Sequence, residues 1–214
     1  MTPGVRAELR DVAGAEGAAP ALARLYMRVG EGAVHCGPRG HAVVPAAVLA
    51  AATHVCLDGV RERRTPAAER PLPLHPYPSL GELCAVRVPI SGLTCPDFLA
   101  GLTWLRFGLS RGLLDATVAY ARSRTVAGGP LLHQQLVKGA LADAAVELLA
   151  VETALAGDPT GVALRELHDQ ITQVDRALLR LHGARGFVLA GPASPAHLSD
   201  LLAGVYVADR EVPA

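Results

Sequence analysis

The 214-residue sequence carries no net formal charge at neutral pH, with 20 Lys+Arg set against 20 Asp+Glu. That balance excludes the basic footprint expected of a nucleic-acid-binding surface. Its densest basic run, Arg61-Glu-Arg-Arg64 with Arg70 close behind, reads as a solvated linker. No apolar run reaches the roughly 18 to 20 residues that a membrane span needs. The stretch from Ala42 to Leu57 comes nearest and is interrupted by Pro45, Thr53 and His54. Met1-Thr-Pro-Gly-Val-Arg6 lacks the charged-then-apolar pattern of a secretory signal, so a cytoplasmic location is expected. No cysteine pair has CxxC spacing. Cys36, Cys56, Cys84 and Cys95 read as free, partly buried thiols. His35-Cys36, His41 and His54-Val-Cys56 lack the tight paired spacing of structural zinc ligands, so no metal centre is expected. Gly30-Glu-Gly32 has no third glycine or flanking strand and is not a dinucleotide fingerprint.

Half of the residues are hydrophobic, enough for one sizeable core or two small ones. Composition changes near Pro96 and suggests a boundary between residues 1–96 and 97–214. In the first part, seven prolines between Pro66 and Pro96 argue against long helices. Pro71-Leu-Pro-Leu-His-Pro-Tyr-Pro78 should be extended, and Cys84 to Ile90 should be a short edge strand ended by its proline. Residues 18–28 and 45–57 suggest short helices, separated by a loop over Gly30 to Gly40. In the second part helical periodicity dominates. Asp97 can cap a helix reaching about Arg124, with Leu102, Leu105, Leu109, Leu113 and Val118 near one side. A second helix is expected over 132–156. A third follows Thr160 and carries Leu164, Leu167, Ile171, Val174, Leu178 and Leu181. A last helix of about a dozen residues begins at Ser194-Pro195. Four helices joined by short turns predict an antiparallel four-helix bundle in a mainly α chain.

Three polar features could carry chemistry. Arg124 either complements a helix C-terminus or contacts a phosphate. His133, Gln134 and Gln135 place amides and backbone donors at a helix start. Gly183 and Gly186, in Arg180-Leu-His-Gly-Ala-Arg-Gly-Phe-Val-Leu-Ala-Gly-Pro192, either end a helix or let a ligand approach the backbone closely. His182 beside them is a candidate base.

Taken in order, these features resemble the C-terminal helical domain of acyl-CoA dehydrogenases, over about residues 99–207. Arg124-Thr-Val-Ala-Gly-Gly-Pro-Leu131 with Gln135 is similar to that family's R-x-x-F-G-x-P-[LI]-x-x-x-Q pattern. Leu141-Ala-Asp-Ala144 is similar to its LADM helix, and Leu181 to Phe187 to its glycine loop. The resemblance implies FAD held across a subunit interface, with Arg124, Gly128, Gln135, Gly183 and Gly186 as the positions carried over. It also implies an acyl-CoA or acyl-carrier-protein substrate, and a homo-oligomer or a hetero-oligomer with a full-length acyl-CoA dehydrogenase. The chain departs from the pattern at four places. Ala127 stands for the aromatic residue, Arg180 for the loop's glutamine and Ala184 for its second glycine. Ala190 stands where many members carry the proton-abstracting glutamate, and an alanine methyl cannot serve as a base. Trp104, Leu105 and Arg106 occupy the other place where members put that carboxylate. His182 and Asp200 are the remaining base candidates. Three functions follow as expectations: a subunit completing a flavin and acyl-thioester site with a partner, a non-redox enzyme or binding module, or a self-sufficient dehydrogenase with a relocated base.

Overall fold

The computed structural model describes residues 1–30, 32–74, 83–126, 128–183, 186 and 194–207. The chain opens with α1 (Pro3–Glu16) and α2 (Ala18–Leu25), and a π-helical turn (Tyr26–Gly30) extends α2. Next come β1 (Ala33–His35), β2 (His41–Pro45), α3 (Ala46–Ala51), β3 (His54–Leu57), β4 (Val60–Arg63), β5 (Arg70–Leu72) and β6 (Leu83–Arg87). The second half holds α4 (Pro96–Ser123), a two-residue-strand hairpin of β7 (Thr125–Val126) and β8 (Gly129–Pro130), α5 (Gln135–Ala156), α6 (Gly161–Leu181) and α7 (Ser194–Tyr206). The mainly helical fold class and the bundle-forming helices are therefore as the periodicity predicts, with α5 starting three residues later than expected.

The first half differs from its sequence reading. The expected helix over 45–57 is helical only as α3; Thr53 begins a return, and His54–Leu57 is a strand. β3 buries Val55 and Cys56 side by side, and β-branched Val55 suits a pleated surface. The predicted edge strand is central, because β6 lies between β2 and β5 in the order β2-β6-β5, antiparallel to both. Pro71 instead sits on the edge strand β5, where a missing donor costs least. A second sheet, in the order β1-β3-β4, pairs β1 parallel to β3. The loop expected over Gly30 to Gly40 thus contains a strand. Arg61 to Arg63 lie on exposed β4 rather than in a linker. Arg64 is fixed, forming an ion pair with Glu69 at 2.5 Å and donating to the Ala52 carbonyl at 3.1 Å. Of the proline-rich run, residues 75–78 lie outside the described residues.

One hydrophobic core runs from Leu9 to Tyr206 and crosses residue 96 without a break. α4 is its axis, packed by α1, α2, α5, α6 and α7. The N-cap of α4 is Cys95, with no side-chain cap; Asp97 lies in the first turn instead of capping it. Thr160 holds the N-cap position of α6, also without a side-chain cap bond. Where α1 meets α4, Gly14, Gly108 and Gly112 bring the backbones together: a Cβ on Gly108 would strike the Arg10 carbonyl oxygen and come within 2.9 Å of the Ala13 Cβ. From the other side, the Tyr206 hydroxyl donates to the Val43 carbonyl and accepts from the Val43 amide, each at 2.9 Å. It thereby occupies the open edge of β2. Among the described residues, no helix is long and apolar enough to cross a membrane.

Candidate functional site

The residues singled out by sequence fall in two places. Arg124 is the exposed C-cap residue of α4, and its carbonyl accepts from the Leu131 amide at 2.6 Å, closing the β7–β8 hairpin. Gly128 turns that hairpin with φ +83°, a value that favours glycine, and has open space around it. Gln135 is the exposed first residue of α5, preceded by Gln134 at the N-cap. Arg124, Gly128 and Gln135 therefore share one end of the bundle. Next to them α5 keeps an apolar face in solvent: Leu136 is 88% exposed, Val146 65% and Leu149 63%, while Leu141, Leu148 and Val151 are buried.

The second place is the exit of α6. Gly183 follows the C-cap His182 with φ +56°, a left-handed helix end. Gly186 has its own reason to lack a side chain, because a Cβ there would meet the Leu179 carbonyl oxygen. His197 reaches the Gly186 carbonyl at 3.1 Å. Both glycines are thus required by the helix exit itself. His182 is buried, bonded through Nε2 to the Thr117 hydroxyl at 2.9 Å and stacked on Tyr120 at 4.7 Å, so its ring serves the contact between α4 and α6. Asp200 is exposed, 3.4 Å from Arg176, on a polar groove of about 790 Å³ between α6 and α7. Ala127, Ala184 and Ala190 lie outside the described residues.

Sequence reasoning missed a polar ladder in the bundle. Thr103 bonds His168, Ser110 donates to Asp175, and Thr117 bonds His182; each pair is 65 residues apart. The constant offset means that α4 and α6 run parallel, with the hydroxyls of one helix facing His, Asp and His of the other at seven-residue steps. A seven-residue step returns to nearly the same helix face. The signal was present as His168, Asp175 and His182, but hydroxyl residues on an apolar helix read as ordinary surface or back-bonded positions. Arg106 sits within this ladder with no solvent exposure. Its guanidinium donates to Ser199 Oγ at 3.0 Å, His168 Nδ1 at 2.8 Å and Thr172 Oγ1 at 2.7 Å. Arg106 is thus turned into the bundle and held there.

Burial lowers the Arg106 guanidinium to about 10, with Asp175 acting the other way, so it stays charged at neutral pH. Burial also holds His168 well below its ordinary value, as required of a ring that accepts from Arg106. The Asp175 carboxyl is pushed up to about 6, mainly by burial, against opposing contributions from Ser110 and Arg106. An acid whose folded-state value exceeds the unfolded one binds its proton more tightly when folded. Its contribution to stability is therefore present at low pH and is lost as pH rises from about 4 to about 6. His168 acts in the opposite sense, so the two must be separated. Subtracting the unfolding free energy of Asp175→Asn from that of the wild type should give a difference that falls by about 2 kcal/mol over this range. A pH-independent difference in urea titrations would contradict the assignment.

A cavity of about 540 Å³ opens between the start of α4, the α5–α6 turn and the N-terminal region. Leu93, Leu99, Trp104 and Leu164 give it an apolar wall, and Asp58, Asp97 and Asp158 bring carboxylates to it. Two of these are already engaged, since Asp58 accepts from the Leu93 amide at 2.5 Å and Asp158 pairs with Arg6.

The fold is similar to a helical domain of the acyl-CoA dehydrogenase type. Residues 100–157 match the family model described as Acyl-CoA dehydrogenase, C-terminal domain, a span that includes Arg124, Gly128 and Gln135. Among solved structures, the ChsE4-ChsE5 complex from Mycobacterium tuberculosis is similar with a TM-score of 0.58 at 16% identity, covering 91% of this chain and 73% of that one. A glutaryl-CoA dehydrogenase from Mycobacterium smegmatis in complex with FADH2 gives 0.52 at 19% identity, covering 72% of this chain and 50% of that one. A putative acyl-CoA dehydrogenase from Mycobacterium smegmatis gives 0.51 at 15% identity, covering 77% and 56%. No curated protein matches the sequence. The chain spans about half the length of the glutaryl-CoA dehydrogenase it resembles.

Proposed function

We propose that the chain is a subunit that completes a flavin and acyl-thioester site together with a partner of the acyl-CoA dehydrogenase type. The observation that carries this reading is the exposed end of the bundle. Arg124 and Gln135 stand there in solvent, beside an α5 face on which Leu136, Val146 and Leu149 lack cover. A helix with apolar residues on both faces is short of a neighbour. The likeness to the ChsE4-ChsE5 complex, in which two different proteins assemble, supports a different protein as that neighbour. The residues present fit one edge of FAD: a planar guanidinium for phosphate, an amide, and a glycine turn open around Gly128. When bound, the flavin would accept the electrons of thioester oxidation. This chain's own share would be to hold and orient it, because Ala190 supplies no carboxylate, His182 is committed to Thr117, and Asp200 faces Arg176.

A second reading, a non-redox binding module, draws support from the apolar cavity beside Trp104, which this chain forms by itself. One experiment separates the two. The chain is purified alone and after co-expression with each acyl-CoA dehydrogenase of its source, and visible spectra are recorded. The expected result is a colourless protein alone and a flavin-bearing complex with one partner. In that complex Arg124→Ala combined with Gln135→Ala should lower FAD occupancy, and Leu136→Glu with Leu149→Glu should abolish association while the chain stays folded. Stoichiometric FAD in the lone chain would overturn the shared-site reading, as would failure to bind any of these partners.

A further inference from the structure

His35 on β1 is the register partner of Cys56 on β3. Register partners in a ladder project their side chains to the same face of the sheet. Cys95, the residue before α4, meets them from the bundle side, with its Sγ 2.6 Å from that of Cys56. All three side chains are buried, and one ligand atom from each lies within 4.8 Å of the others. The His35 ring is fixed by stacking on Phe98 at 4.5 Å and 7°. Its Nε2 is 3.3 Å from the Val29 carbonyl, toward which only a protonated nitrogen can donate. Nδ1 therefore carries the lone pair, and this buried atom has no hydrogen-bond partner.

We propose that His35, Cys56 and Cys95 bind one divalent cation of the zinc class, tying the N-terminal sheet to the first turn of α4. Two sulfurs and an imidazole are donors that zinc prefers, and three protein ligands with one further position is an arrangement it uses. The Nε2–H bond to a backbone carbonyl is the outer contact that orients a ligating histidine. Zinc–ligand bond lengths imply ligand separations of about 3.3 to 3.8 Å, so the two sulfurs would move apart by about 1 Å and the widest pair would close by a similar amount. Two bare thiols, or a Cys56–Cys95 disulfide, would leave His35 Nδ1 unused. Binding as thiolates releases a proton from each cysteine to solvent. This site does not depend on the flavin reading.

The test uses the full chain, reduced and stripped with a chelator, then titrated with Zn(II) and separately with Co(II). We expect one equivalent bound per chain. The Co(II) form should show thiolate-to-metal charge-transfer bands, and Zn(II) should protect two of the four thiols from alkylation. Cys95→Ser should weaken Zn(II) binding at least about 100-fold, more than loss of an outer contact would. Cys84→Ser, outside the cluster, should leave it unchanged. The wild-type spectrum and alkylation pattern decide the matter even if a variant fails to fold. Absence of charge-transfer bands with no thiol protected would overturn the proposal. So would a Cys56–Cys95 disulfide that, once reduced, yields a protein taking up no metal.

Discussion

Replacing Arg106 with alanine is expected to lower the unfolding free energy by about 3 to 5 kcal/mol, the range for breaking a buried charged network by removing one partner. Three side chains on two helices accept from this guanidinium: Ser199 on α7, and His168 and Thr172 on α6. Alanine would take a donor from all three and strand His168 Nδ1, and Asp175 would lose the nearby cation that favours its ionised form. Each stranded buried group costs about 1 to 3 kcal/mol. Arg106→Lys should cost less, because an ammonium keeps the charge but cannot reproduce the planar fork. Urea unfolding of the two variants checks both the size and the order. A loss below about 1 kcal/mol for alanine would show that water replaces the guanidinium at no penalty.

The second large effect belongs to Gly108. A valine there would meet the Arg10 carbonyl oxygen and the Ala13 methyl on α1, so α1 must retreat from α4. Overpacking of this kind costs about 3 kcal/mol, well beyond the several tenths that a better helix former returns. Thermal unfolding should show the loss, and limited proteolysis should release α1 before the bundle is cut. The matched control is Gly139→Ala on α5, where nothing lies within 4 Å of the added carbon. That substitution should raise stability by about 0.5 to 1 kcal/mol. If both changes moved stability the same way, close approach of the two backbones would not be what keeps position 108 small.

The bundle helices α4, α5 and α6 were legible because apolar residues recur three and four apart over 20 residues or more, and only tertiary packing against one another can use such a pattern. The first half was not, because its strands are three to five residues long and, the β3–β4 hairpin apart, its pairings are non-local. Ala46 to Ala51 and Val55 to Leu57 are apolar pieces parted only by Ala52, Thr53 and His54, yet the first is helical and the second pairs with β1. That Arg124, Gly128 and Gln135 share one end of the bundle could be read because they lie close along the chain. The cluster of His35, Cys56 and Cys95 could not, since its two sulfurs are 39 residues apart in sequence and meet only through β3 and the start of α4. The Thr103–His168 ladder lies between these cases. Its seven-residue spacing is visible in each helix, but nothing in either helix says that the other lies beside it.

The Tyr206 clasp on Val43 joins residues 163 positions apart. During synthesis, β2 emerges long before the hydroxyl that completes its backbone pairing exists. Contacts of such separation slow folding, and they leave a strand edge uncovered in the interim. Until α7 has left the ribosome, the Val43 backbone on that edge of β2 has no such partner.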